Sequence, residues 1–164
     1  MLKLRLARAA EGNFKMKKIL NEMKLRLPAI SVNEGVCRSA ISAFCAELDP
    51  TVEELGDIRL AVSEAVTNCI VHAYRSLPAD QIGYIYISVR LYESREVSVE
   101  ISDNGCGIEN VEEAMRPMFT TGSGEERCGM GFLVMENFTD VLSVKSKPGR
   151  GTVVLMRKFL KPNA

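Results

Sequence analysis

The sequence has no tryptophan, a single histidine, His72, and only 6% aromatic residues. One histidine cannot complete a Cys/His zinc site of familiar spacing, and no C-x-x-C pair is present to begin one. The five cysteines, Cys37, Cys45, Cys69, Cys106 and Cys128, are odd in number and read as reduced thiols. Cys37, Cys45 and Cys69 fall in segments with helical patterning and are expected as small core residues. Cys106 and Cys128 sit in glycine-rich stretches, where a reactive thiol is the less favoured reading. An excess of one charge is also missing: 21 Lys and Arg balance 21 Asp and Glu, unlike the polycation expected of a general nucleic-acid binder. No uncharged stretch approaches the roughly 20 residues that span a bilayer. Lys3, Arg5, Arg8 and Lys15 interrupt the N-terminus where a signal peptide needs an unbroken apolar run. The expectation is a cytoplasmic protein with no direct contact to nucleic acid or membrane. Neither G-x-x-x-x-G-K-[ST] nor G-x-G-x-x-G occurs, which excludes a P-loop and a dinucleotide fingerprint.

What is present is an ordinary globular composition, 46% hydrophobic and 26% charged over 164 residues, enough for one domain with its own core. Residues 1–21 stand apart, with six Lys or Arg against the lone acid Glu11, while residues 22–164 carry a net charge near −5. The leader reads as a solvated tail outside the functional domain, with a nucleic-acid or membrane arm as the alternative; Met16 and Met23 are both internal start candidates. The domain is therefore drawn over 22–164.

Within it, Met23, Leu25 and Leu27 alternate with polar residues and predict a strand over Met23–Ile30, ended near Pro28. Ser31-Val-Asn-Glu34 and Thr51-Val-Glu-Glu54 both read as capping boxes. They open helices to about Leu48 and about Tyr74. Ile85, Ile87, Val89 and Leu91, then Val97, Val99 and Ile101, predict an antiparallel hairpin across Glu93-Ser94-Arg95. Residues 104–131 are glycine-rich with little periodicity. A short helix from about Gly131 to Phe138 and a strand pair, Val141–Ser146 and Gly151–Phe159, complete an α+β sandwich with helices on one sheet face.

The chemistry concentrates in three places. Glu64, Asn68 and His72 recur every four residues, a column running beside the apolar stripe of Leu55, Ile58, Val62, Ala65, Cys69 and Ala73. Polar groups at the edge of a core need partners, although three such residues taken alone read better as a satisfied helix flank. Asp103 shares the parity of Val97, Val99 and Ile101, so the strand carries this carboxylate to the buried face, next to Asn104-Gly-Cys-Gly107. The same D-N-G is also good turn chemistry. Third, the stretch from Thr120 through Gly129-Met-Gly131 runs into a helix start, where free N–H groups and the positive dipole end favour an anion. Arg127 adds a cation.

Glu64-x-x-x-Asn68, Asp103-x-Gly105-x-Gly107, Gly129-Met130-Gly131 and Gly151-Thr152, in that order, resemble the four nucleotide-binding boxes of the GHKL ATPase/kinase superfamily. Ser63-Glu-Ala-Val-Thr-Asn68, Pro117-Met-Phe-Thr-Thr121 and Gly129 through Phe138 resemble, more narrowly, the anti-sigma-F family of sporulating bacteria, which are serine kinases. The resemblance covers about Asn21 to Lys161 and implies a Bergerat two-layer α/β sandwich with a mixed, mostly antiparallel sheet. It implies that Asp103 accepts from the adenine amino group, that Asn68 gives its amide oxygen to Mg²⁺, and that Glu64 is the general base of phosphoryl transfer. Gly105, Gly107, Gly129, Met130 and Gly131 would let ATP or ADP approach the backbone, with Thr120, Thr121 and Arg127 as lid contacts and Thr152 closing the adenine end. The implied partners are a sporulation sigma factor, an anti-anti-sigma factor phosphorylated on serine, and a second copy in a homodimer. Arg38 matches an exposed docking arginine of that family. Three alternatives stay open: a general-stress anti-sigma kinase, a non-catalytic module whose bound nucleotide gates sigma binding, and a histidine-kinase catalytic domain.

Overall fold

Alternation of apolar side chains builds five strands: β1 (Ile19–Pro28), β2 (Tyr84–Tyr92), β3 (Glu96–Asp103), β4 (Val141–Lys147) and β5 (Gly151–Phe159). The computed structural model describes residues 17–116 and 130–162. The strands form one sheet in the order β1-β2-β3-β5-β4, and every pairing is antiparallel. A mixed sheet was implied; among the described residues no parallel pair occurs, because hairpins β2–β3 and β4–β5 are joined edge to edge by an antiparallel β3–β5 ladder.

On one face the sheet presents Ile85, Ile87, Val89, Leu91, Val97, Val99, Ile101, Val154 and Met156, all buried. Against it pack α1 (Val32–Cys45), α2 (Val52–Asn68) and α4 (Gly131–Phe138), through Cys37, Ile41, Cys45, Ile58, Val62, Ala65, Val66 and Met135. Burial pushes the Cys37 thiol up to about 11 and that of Cys45 up to about 12, so both stay neutral core residues, as expected.

The two capping boxes fare differently. Thr51 forms the full reciprocal pair with Glu54 at the start of α2. Ser31 does not: its backbone is already helical, its side chain makes no cap bond, and Glu34 is taken by Arg38 one turn on. The entry to α1 is fixed instead by Asn33, whose amide donates to the Pro28 carbonyl. A 3₁₀ turn, Ala46–Leu48, follows α1. A four-residue helix, α3 (Val111–Ala114), interrupts the stretch expected to lack structure, and its cap is Asn110, which accepts from Glu113 N–H.

β1 starts at Ile19, upstream of Met23, and so takes in residues 19–21 that the sequence assigned to the tail. Long-range charge explains the difference. Lys18 pairs with Glu93, and Lys17 pairs with Glu96, which is 2% exposed and also faces Arg157 at 3.6 Å. These partners lie in the β2–β3 hairpin, beyond the reach of a local pattern.

Candidate active site

Strand parity delivers Asp103 as anticipated: it closes the series Val97, Val99, Ile101 and is 6% exposed. Its Oδ1 accepts from Gly105 N–H at 2.9 Å, Thr152 N–H is a further donor, and Cys69 Sγ lies 3.7 Å from Oδ2. Burial raises this carboxyl above the usual aspartate range, with the three donors pulling the other way.

Helix α2 does not end at Asn68 but widens into a π turn, Cys69–Ala73, a local device found often at functional sites. The D-x-G-x-G loop caps it. Cys106 N–H donates to Ala73 O at 2.7 Å and Cys106 Sγ lies 3.3 Å from His72 O. A Cβ on Gly105 would overlap the Ala73 carbonyl. Gly107, at φ +69°, would drive a Cβ into the Lys147 carbonyl, and its neighbour Cys106 O accepts from Gly149 N–H at 2.8 Å. The missing side chains of both glycines therefore admit protein backbone. The loop is clamped between the end of α2 and the β4–β5 turn.

Glu64 and Asn68 stand one turn apart on α2, half-buried, and the four-residue spacing brings them together as read. Above them is the first residue of α4: a Cβ built on Gly131 would lie 3.1 Å from Glu64 Oε2 and 3.5 Å from both atoms of the Asn68 amide. Burial raises the Glu64 carboxyl above its ordinary value. Met130, the residue before α4, is exposed. His72, the third member of the column, lies in the π turn, where the four-residue period no longer holds.

Thr152 reaches the site by its backbone, since its hydroxyl is 2.9 Å from Ser146 Oγ. Arg38 is less free than a docking arginine was expected to be. Its side chain is 38% exposed, pairs with Glu34 at 3.0 Å and lies 3.5 Å from Ser63 Oγ, with Nε buried and without a partner among the described residues. Thr120, Thr121, Arg127, Gly129 and Cys128 lie outside the described residues.

Three contributors went unread. Tyr74 hydroxyl accepts from Asn104 N–H at 3.0 Å and donates to Tyr84 O. Ser146 Oγ accepts from Ile108 N–H at 2.8 Å and donates to Gly151 O at 2.9 Å. Cys69 was read only as core. Nothing local marks Tyr74 or Ser146, because their partners are distant in sequence; for Cys69 the parity of Asp103 carried the signal.

Among the described residues no three His, Cys, Asp or Glu side chains group to hold a metal. Asn68 offers one neutral oxygen beside Gly131, a donor set that fits Mg²⁺ carried on phosphates and water but not a protein-caged ion.

Residues 28–158 match the histidine kinase-like ATPase domain family. The anti-sigma F factor of Caldanaerobacter subterraneus subsp. tengcongensis is 50% identical over 143 residues, covering 87% of this chain and 96% of its own length. That of Anoxybacillus flavithermus is 50% identical over 140 residues, 85% of this chain and 93% of its own. That of Clostridium perfringens strain SM101 is 49% identical over 138 residues, 84% of this chain and 96% of its own. Among solved structures, the RsbU and RsbW domains from Mycobacterium tuberculosis superpose with a TM-score of 0.63 at 18% identity, over 88% of this chain and 34% of that one. The histidine kinase domain of a blue-light activated kinase from Erythrobacter litoralis gives 0.52 at 20% identity, over 77% of this chain and 61% of that one. At such identities the two structures speak to the fold alone.

Proposed function

The chain belongs to the histidine kinase-like ATPase family and, within it, to the anti-sigma F factors, and from that premise we propose that it is an ATP-dependent anti-sigma factor and protein serine kinase. The observation that carries the proposal is the meeting of Glu64 and Asn68 under the N-terminus of α4, with Cys69, the residue after Asn68, 3.7 Å from the buried carboxylate of Asp103.

In this reading Asp103 accepts from the adenine amino group through the lone pair its protein donors leave open, and Thr152 holds it from the far side through its N–H. The phosphates run toward Met130 and Gly131, where the amides at the start of α4 point outward with the positive end of the helix dipole. Asn68 is the protein's oxygen ligand for Mg²⁺, which when bound supplies charge neutralisation on the phosphate oxygens. Glu64, raised by burial toward the pH of the cell, is placed to take the hydroxyl proton of an incoming serine. The serine oxygen bonds to the γ-phosphorus, the bond to the β,γ-bridging oxygen breaks, and ADP leaves. Thr120, Thr121 and Arg127 belong to the proposal as lid contacts, and Gly129 as a glycine that lets the phosphates approach the backbone.

The serine belongs to an anti-anti-sigma protein, the inhibited partner is a sporulation sigma factor, the working form is a homodimer, and the setting is the cytoplasm. No helix of the described residues is long and apolar enough to cross a membrane. Incubation with γ-labelled ATP, Mg²⁺ and the candidate antagonist tests the proposal: label on an antagonist serine supports it. Sigma binding and nucleotide binding without transfer favour the non-catalytic module.

A further inference from the structure

Cys69 is 4% exposed, at the first position of the π turn, and its sulfur lies 3.7 Å from Asp103 Oδ2. A cysteine thiol is a weak S–H donor, and this one lies within reach of an acceptor-only carboxylate oxygen. Gly105 N–H is fixed on Oδ1 and Thr152 N–H supplies a third donor. An ionised carboxylate is acceptor-only with about four lone-pair sites, so three protein donors leave one direction for a ligand. The two amides are rigid backbone; the thiol is the one donor supplied by a side chain.

We infer that Cys69 is a positioning residue for purine recognition: its S–H, donated to Oδ2, holds the Asp103 carboxylate as a fixed acceptor that selects a 6-amino over a 6-oxo purine. This rests on the reading of Asp103 as the adenine acceptor. A 6-oxo group would set oxygen against carboxylate oxygen, and the site rejects it only while the carboxylate can neither turn away nor pick up a proton. Removal of the thiol loosens both restraints, so affinity and selectivity fall together.

The test compares wild type, Cys69→Ala and Cys69→Ser for KM and kcat with ATP and with inosine triphosphate, alongside calorimetric ATP affinity. Cys69→Ala should raise KM for ATP about three- to tenfold, the range of one modest hydrogen bond, leave kcat unchanged and narrow the ATP-to-inosine-triphosphate ratio. Cys69→Ser restores a donor and should recover both. In an Asp103→Asn background Cys69→Ala should add nothing to the affinity loss. Unchanged KM and ratio in Cys69→Ala, or equal losses in the alanine and serine variants, would overturn the inference. A wild-type protein that binds no ATP overturns instead the reading on which it rests, so the two failures are distinct.

Discussion

Gly131 sits over Glu64 with no room between them for a tight-fitting methyl: a Cβ on Gly131 would come 3.1 Å from Glu64 Oε2. The first turn of α4 and the acid of α2 are thus set against each other by the absence of one carbon. Gly131→Ala should press on Glu64 by a few tenths of an ångström, while its methyl meets Asn68 at ordinary contact distance. Since sub-ångström to ångström misplacement of reacting groups costs orders of magnitude, phosphorylation should drop by about tenfold or more. Alanine favours a helix over glycine, so the melting temperature should hold or rise. Full activity in this variant would mean that α4 moves off Glu64 before transfer.

Glu64→Gln separates chemistry from binding. It keeps shape and much of the hydrogen bonding but loses the base, so transfer should fall by roughly 10²–10⁴-fold while calorimetry shows ATP still bound. The same variant carries a stability signature. Burial raises Glu64 above 4.5, so the folded protein holds that proton more tightly than the unfolded chain. The cost of ionising it is absent below that value, grows as pH rises through it, and is complete above the raised folded value. Glu64→Gln removes the cost, and its melting temperature should gain on wild type as pH rises from the ordinary glutamate value through the raised folded one. A constant difference across that range would take the burial of Glu64 out of the account.

Asp103→Asn turns an acceptor edge into a mixed one, facing donors from Gly105, Thr152 and Cys69. Both ATP and ADP should bind about ten- to a hundredfold more weakly, the range of a hydrogen bond to a charged group, since both carry the same base. Equal calorimetric affinities for variant and wild type would remove adenine recognition from Asp103.

Arg38 bridges α1 to Ser63, the residue preceding Glu64. If partner choice follows the nucleotide, ATP should favour the sigma factor and ADP the unphosphorylated antagonist, each only by its differential affinity for the two states. Pull-downs of both partners under the two nucleotides measure this, with Arg38→Glu expected to release both. Identical partner preference under ATP and ADP would refute the switch, and full binding by Arg38→Glu would move the docking surface elsewhere.

Where the sequence was legible, the deciding interactions were local. The β2–β3 hairpin, the limits of α4 and β5 and the Thr51 cap follow from periodicity and short-range chemistry. Asp103 was found because strand parity is strict. The failures are contacts across the chain. Ser31 lost its cap to a backbone that was already helical, and Lys17 and Lys18 drew β1 upstream through acids more than seventy residues away. The π turn left no trace in a four-residue pattern. Gly105 and Gly107 were singled out correctly as close-approach glycines, but what approaches them is Ala73 and Lys147, which no local pattern names.

The clamp on the D-x-G-x-G loop has a consequence for synthesis. Its ties, Cys106 to His72 and Ile108 to Ser146, join residues 34 and 38 apart, and Asp103 is completed by an amide of the last strand. A nascent chain that has released α1, α2 and the β2–β3 hairpin holds Glu64, Asn68 and Asp103 but not the wall that organises them. Chains ending before Gly151 should therefore retain helical signal yet capture no ATP, and binding by such a fragment would show the last hairpin to be dispensable. On the proposed reading of Asp103 the ligand site is complete only once the final strand has left the ribosome, so an unfinished copy is expected to be silent rather than half-active.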